Sequence, residues 1–239
     1  MNDVVVESGI LKRRNDRDVE ELPYEIRRLS SRDLIPVLKI RQFASETYGV
    51  RFLDRRPSSQ IEQILSQNIS LGLFCQNELA GIRLTGYPSS ATLYLLECLP
   101  IPPQEIDRDA RLTGVVVLPP YRGQQFGSRL TQINLQHLAQ LGKDRVWATV
   151  SPFNYPSLSI FLRLNFRIYD LIQVHGKFDR FILKTESQMQ PLAVGEVERV
   201  EHCDLATQRA RLDRGWVGYA IERHALGYRI AYARELQSS

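Results

Sequence analysis

The hydrophobic pattern changes period several times along the chain. Tyr24 to Leu29 alternates apolar and polar residues and predicts a first strand. Ser30 or Ser31 then caps a helix reaching about Tyr48, with Leu34, Val37, Leu38 and Phe43 on one face. A loop over 49–57 follows. Ser58 or Ser59, with Glu62 behind it, opens a second helix to Gln67 in capping-box style. Leu71–Gln76 and Leu79–Thr85 flank Asn77–Glu78 and predict a β-hairpin. Residues 86–111 are too many for a hairpin loop. Their apolar run from Leu93 to Leu99 predicts an extra element packed on the core over 91–99, and a lid or substrate pocket is the other use of such an insertion.

The pattern is sharpest in the middle of the chain. Arg111–Leu118 is a strand whose β-branched Val115, Val116 and Val117 suit a buried sheet, and Pro119 and Pro120 end it because neither donates a ladder hydrogen bond. A turn with Arg122, Gly123 and Gly127 leads into a helix over Gln124–Leu141, marked by Leu130, Ile133, Leu135, Leu138 and Leu141 and closed by Gly142. A strand over Arg145–Ser151, a helix over Asn154–Leu164 and strands over Phe166–Gln173 and Lys177–Lys184 complete this part. The ends carry weaker signals. Residues 1–22 read as a flexible tail, 23–184 as the main domain, and 185–239 as a linker and helical extension from Asp204 to about Leu236. Leu205, Leu212, Trp216, Ala220, Ala225 and Tyr228 there would pack on the main domain or on a second subunit of a homodimer.

Composition narrows the class. The chain has 239 residues, 43% of them apolar, which is enough for a core. A net charge of +4 favours an anionic ligand without the basic excess of a nucleic-acid binder. No run of about 18 apolar residues predicts a membrane span. The first residues lack a signal-peptide pattern, and Cys75, Cys98 and Cys203 are scattered, so a reduced cytoplasmic setting is expected. With four histidines and no C-x-x-C or H-x-x-x-H spacing, no metal site is expected.

The chemistry lies in the strand, glycine turn and helix around residue 122. A helix start carries unpaired N–H groups and the positive end of the macrodipole, which suits phosphate, and Arg122 adds a charged donor. The wording V-x-P-x-x-R-G-x-x-x-G resembles motif A of the GCN5-related N-acetyltransferases, the GNAT family, where the loop holds the pyrophosphate of acyl-coenzyme A. Val117, Pro119, Arg122 and Gly127 fall on the motif, whereas Gln125 stands where the family usually has its first glycine. Asn154 to Phe166 resembles motif B, with Asn154, Ser157, Ile160, Phe161 and Phe166 in register and Asn165 in place of a glycine. The order of elements over about 23–184 is also similar to that of the family.

The resemblance implies an α/β (α+β) fold of GNAT type, a central mixed twisted sheet flanked by helices. It implies acyl-coenzyme A, acetyl or longer, as co-substrate. Arg122, Gly123, Gln124, Gln125, Phe126, Gly127 and Ser128 would hold the pyrophosphate, and the backbone of Val115 and Val117 the pantetheine. The N–H of Val117 or Leu118 would meet the thioester oxygen, with Asn154 and Phe161 beside the cofactor. Phe161 occupies the place of the tyrosine that protonates the leaving thiolate, so Tyr155, Ser157 or water would substitute. The general base is sought among Glu97, Glu105 and Glu46, with Tyr87 and His175 behind them; Glu97 leads because burial in its apolar run would raise its pKa. The reaction implied is direct attack of an amine, on a small molecule or peptide, in a ternary complex.

A looser likeness joins IRQFASETYGV, AGIRLTGYP with Arg83, and the insertion to the acyl-homoserine lactone and N-acyl amino acid synthases. It implies long acyl chains from coenzyme A or acyl carrier protein. The chain departs from those enzymes at Arg111–Gly114, where they carry a glutamate-x-x-arginine wording, and it keeps Arg122-Gly123. Phe161 also leaves open a catalytically inactive module that binds acyl-coenzyme A.

Overall fold

The computed structural model describes residues 4–14, 18–49, 52, 56–88, 103–174, 177–187, 189, 192 and 194–235. The chain divides into two compact units, residues 1–93 with 110–143 and residues 94–109 with 144–239.

The first unit is an antiparallel sheet between two helical layers. Its strands are β1 (Val5–Arg14), β2 (Val19–Arg28), β3 (Leu71–Cys75), β4 (Glu78–Gly86) and β5 (Asp109–Val117), neighbours in that order. Its helices are α1 (Leu34–Tyr48), α2 (Ser58–Ser66) and α3 (Phe126–Gln140). Tyr121, Phe126 and Leu130 pack with Leu73, Tyr24 and Leu11 on one side. On the other, Val37, Ile40, Ile61 and Ile64 of α1 and α2 meet Ile82, Leu84 and Val116. All of β3 is buried, as expected of a strand covered on both faces.

The amino-terminal residues expected as a flexible tail are instead the hairpin of β1 and β2. Its inward face rests on few apolar residues, chiefly Leu11 opposite Leu22, and that sparse alternation hid the strand. Polar contacts supplement it. The Tyr24 hydroxyl donates to Glu7 at 2.6 Å, and Glu7 also accepts from Arg129 of α3.

Two features shape β4 and β5. Leu84 pairs with Gly114 but Thr85 pairs with Leu112, so Thr113 is the extra residue of a bulge. Behind it lies a buried polar network. The Thr85 hydroxyl donates to Asn134 of α3, whose amide donates to the Ile69 carbonyl at 2.6 Å, while the Ser70 hydroxyl accepts from the Thr85 N–H at 3.0 Å and donates to its carbonyl at 3.1 Å. Such a satisfied network fixes a unique arrangement, because any lost member leaves a buried polar group unpaired.

The second unit holds β6 (Arg145–Val150), β7 (Arg167–Val174), β8 (Phe178–Glu186), β9 (Val194–Glu201), β10 (Trp216–His224) and β11 (Gly227–Glu235), in the order β6-β8-β7-β10-β11-β9. Helices α4 (Tyr155–Arg163) and α5 (Leu205–Leu212) belong to it. Asp109 is fully buried there; it accepts from Arg145 Nε at 2.6 Å and Nη2 at 2.8 Å and from the Trp147 indole at 2.6 Å.

The helical extension expected over 204–236 is mostly strand. Asp204 caps α5 by accepting from the Thr207 N–H at 3.1 Å, and the helix ends before Gly215, whose φ of +76° suits only glycine well. Beyond it, aromatic and β-branched residues alternate through Trp216–Ile221 and Tyr228–Ala233 and form the β10–β11 hairpin. Trp216, Tyr228, Ile230 and Tyr232 are buried within the unit. The buried Tyr232 hydroxyl donates to Gln208 of α5 at 2.7 Å, and burial pushes its pKa far up.

Candidate functional site

The site grows from the end of β5. The Leu118 N–H donates to the Ala80 carbonyl at 2.9 Å, and Val117 lies opposite Gly81. In an antiparallel ladder, hydrogen-bonded pairs alternate with non-bonded ones. Leu118, Val116 and Gly114 therefore direct their backbone groups toward β4, and Val115 and Val117 direct theirs away from it. The Leu118 N–H, one of the two expected thioester donors, is used inside the sheet.

A tight turn, Pro119–Tyr121, follows and is held by the buried Tyr121. Arg122 is exposed; its Nε donates to the Val117 carbonyl at 2.7 Å and its guanidinium lies 5.3 Å from the Tyr48 ring centroid. Gly123 takes φ +82° and Gln125 takes φ +61°, ψ +17°. Gln125 thus adopts the left-handed conformation a glycine would take there. The substitution keeps the course of the loop and is accommodated as local strain.

Two loop side chains do other work. Gln124 clamps β1, its oxygen accepting from the Lys12 N–H at 2.7 Å and its amide donating to the Lys12 carbonyl at 2.6 Å. Phe126 is buried edge-on against Tyr24, ring centroids 5.0 Å apart. Both offer a ligand their backbone only. The start of α3 has no side-chain cap and no acidic residue in its first turn. The N–H groups of Phe126, Gly127 and Ser128 have no intrahelical acceptor, so Arg122, the turn and the helix dipole together make an anion cradle.

The motif-B residues lie in the second unit. The Asn154 side-chain oxygen accepts from the Ser157 N–H at 3.2 Å, so both residues form the cap of α4. The Tyr155 ring sits 5.0 Å from that of Tyr228, with the Arg223 guanidinium 5.4 Å from its centroid. Phe161 is 3% exposed and packs edge-on against Phe166 at 4.8 Å. The ring of Phe161, expected beside the cofactor, lies in the core of the second unit. Asn165, at φ +61°, does replace a left-handed glycine.

Of the base candidates, Glu97 and His175 lie outside the described residues, as does the side chain of Glu105. So does the element expected over 91–99. Glu46 is an exposed carboxylate accepting from Gln42 at 2.8 Å. Tyr87 is half-buried, and burial raises the pKa of its hydroxyl. Among the described residues no group of His, Cys, Asp and Glu is placed to hold a metal, and no helix is long and apolar enough to cross a membrane.

Sequence reasoning missed a narrow cleft in the first unit, partly open to solvent. Gln60, Gln63 and Gln67 of the α2 region line one side, and Arg56, Tyr87, Arg111 and Thr113 others. The glutamine spacing along α2 was its only legible trace.

A strand, a left-handed turn and an uncapped helix start beside an arginine make an arrangement suited to an anion. The sequence profile of the acetyltransferase (GNAT) family matches residues 41–166. This chain belongs to that family and is an enzyme of it, acting with acyl-coenzyme A as N-acyl donor. The fold is similar to that of yncA from Salmonella typhimurium, solved with its cofactor acetyl-CoA: 16% identity, TM-score 0.54, covering 71% of this chain and 98% of that one. It is also similar to the PaiA N-acetyltransferase of Thermoplasma acidophilum in complex with coenzyme A, with 17% identity and TM-score 0.51 over 68% of this chain and 98% of that one. The ribosomal-protein-S18-alanine N-acetyltransferase of Escherichia coli gives 16% identity and TM-score 0.51, over 72% and 99%. No curated protein sequence matches the chain.

Proposed function

We propose that this enzyme transfers an acyl group from acyl-coenzyme A to an amine of a small molecule or peptide, by direct attack within a ternary complex. The observation that carries the reading is the cradle at the start of α3. Arg122 is held to the Val117 carbonyl, Gly123 and Gln125 turn the chain with positive φ, and the first-turn N–H groups are uncapped. The cradle takes the pyrophosphate. The Val115 and Val117 backbone groups, directed away from β4, take the pantetheine, and the Val117 N–H faces the charge that develops on the thioester oxygen.

Little else is asked of the protein. The acceptor must lose a proton and be held in line with the thioester carbon. The leaving thiolate is a tolerable one, with an ordinary pKa of about 8.5. Phe161 has no proton to give, so water returns it. Native mass spectrometry with acetyl-, medium-chain and long-chain acyl-coenzyme A tests the donor. Retention of acetyl-coenzyme A and its conversion to free thiol in the presence of an amine panel is the expected result. Binding of none of the three would overturn the reading.

A further inference from the structure

We propose that Gln124 is a positioning residue for the donor site, and that through it the amino-terminal hairpin holds the loop at the start of α3 in the shape that receives the pyrophosphate. This rests on the donor reading above and says what keeps that site formed. β1 is the last strand at one edge of the sheet, so among the described residues no strand pairs with its outer side. The Gln124 amide takes that place at Lys12. Its oxygen accepts from the Lys12 N–H at 2.7 Å, and its nitrogen donates to the Lys12 carbonyl at 2.6 Å. One side chain thus makes the pair of bonds that a residue of a neighbouring antiparallel strand would make. The same nitrogen also donates to the Tyr121 carbonyl at 3.4 Å, so the amide joins the turn to the strand.

The loop needs such a hold because of the residue that follows. Gln125 takes φ +61°, ψ +17°, where a residue with a Cβ is disfavoured by about five- to thirtyfold. Gln125 is exposed, so burial of its own side chain does not offset that cost. The residues on either side do. Gln124 is bonded to β1, and Phe126 is buried with its ring edge-on to Tyr24 of β2, centroids 5.0 Å apart. The hairpin also touches the loop before and after this pair. Arg13 hydrogen-bonds the Tyr121 hydroxyl, and Glu7 accepts from Arg129. Gly9 makes room for this packing: a Cβ there would stand 2.9 Å from the Tyr24 ring that backs Phe126. A left-handed residue other than glycine persists where its surroundings over-determine it, and here those surroundings belong to β1 and β2. Without the clamp the loop spends part of its time in another shape, and the apparent affinity for the anion falls with the fraction that stays competent.

Calorimetry of coenzyme A on a mutant cycle tests this. Gln124→Ala, and Gln124→Met, which keeps the length but neither hydrogen bond, should each bind coenzyme A about three- to tenfold more weakly than wild type. Pantetheine, which lacks the pyrophosphate, should bind all of them alike. Glycine removes the penalty at φ +61°, so Gln124→Ala in a Gln125→Gly background should cost less than about twofold. A merely structural role for Gln124 would give no such rescue, because the bonds lost to Lys12 are the same in both backgrounds. Wild-type affinity in Gln124→Ala and Gln124→Met, or a loss as large in the Gln125→Gly background, overturns the proposal. If the wild type binds no coenzyme A, the donor reading fails by itself, and NMR then decides on the clamp. A strong NOE between the N–H and Hα of Gln125 marks its positive φ. Weakening of that NOE in Gln124→Ala keeps the positioning role, and an unchanged NOE overturns it.

Discussion

Gln125 carries a conformation that ordinarily belongs to glycine. At φ +61° a side chain costs about 1–2 kcal/mol, while glycine at the same place gives back about 0.5–1 kcal/mol through the freedom of the unfolded chain. Gln125→Gly is therefore expected to raise stability by no more than about 1.5 kcal/mol and to keep coenzyme A affinity. Gln125→Val, β-branched at positive φ, should lose about 2 kcal/mol, both read from urea midpoints. Phe161 makes a second case. A tyrosine there places a hydroxyl among core aromatics, so Phe161→Tyr should lower stability by about 1–3 kcal/mol without raising turnover. Faster turnover would show that the added hydroxyl reaches the leaving group. The spacing of Arg122, Gly123 and Asn165 was readable because each sits at a turn or a helix end. The task of Gln124 was not, because its partner Lys12 is 112 positions away.

At the scale of elements, that clamp ties the turn to β1. Replacing Gln124 with alanine removes the acceptor of the Lys12 N–H, and hydrogen exchange at that amide should accelerate by about tenfold or more while β3 amides stay protected. The central elements were legible because their hydrophobic periods are long and bounded by proline or glycine. The ends were not. The first hairpin has a thin apolar face, and the last was read as helix although Trp216, Tyr228 and Tyr232 mark alternating strands. The correction changes the meaning of a truncation. Ending the chain after residue 190 removes β9 to β11 with the buried Trp216, Ile230 and Tyr232, and exposes the β7 edge at Ile168. The expected outcome is loss of cooperative unfolding in the second unit by circular dichroism. A shortened chain that still melted cooperatively would contradict the packing described. The synthase-type likeness rested on Arg83 and the insertion. Arg83 is 1% exposed within β4, and burial pushes its pKa down to about 9. Residues 89–102 lie outside the described structure.

For the whole molecule, pH offers a check on the first unit. Burial, and then the Arg28 charge, hold the His137 pKa below its ordinary value of 6.5. The unfolded chain therefore binds a proton more readily than the folded one just below that pH. Stability should fall as pH drops from about 6.5 toward the folded pKa and level off beneath it. His137→Gln should flatten that part of a urea-midpoint profile, and an unchanged slope would place the titration elsewhere. The profile match to residues 41–166 covers motif A and motif B together, so the family was legible from two short stretches. The cleft beside α2 was not, because it draws residues from separate elements that share no motif. The proposed donor site turns on the start of α3, where Arg122 is assigned to the pyrophosphate of acyl-coenzyme A. Calorimetry of coenzyme A and of pantetheine, which lacks the pyrophosphate, on wild type and Arg122→Ala tests it most directly. Coenzyme A affinity is expected to fall by about tenfold or more in the variant, the worth of one charge-assisted contact, with pantetheine binding unchanged. Equal coenzyme A affinity in the two proteins would contradict it.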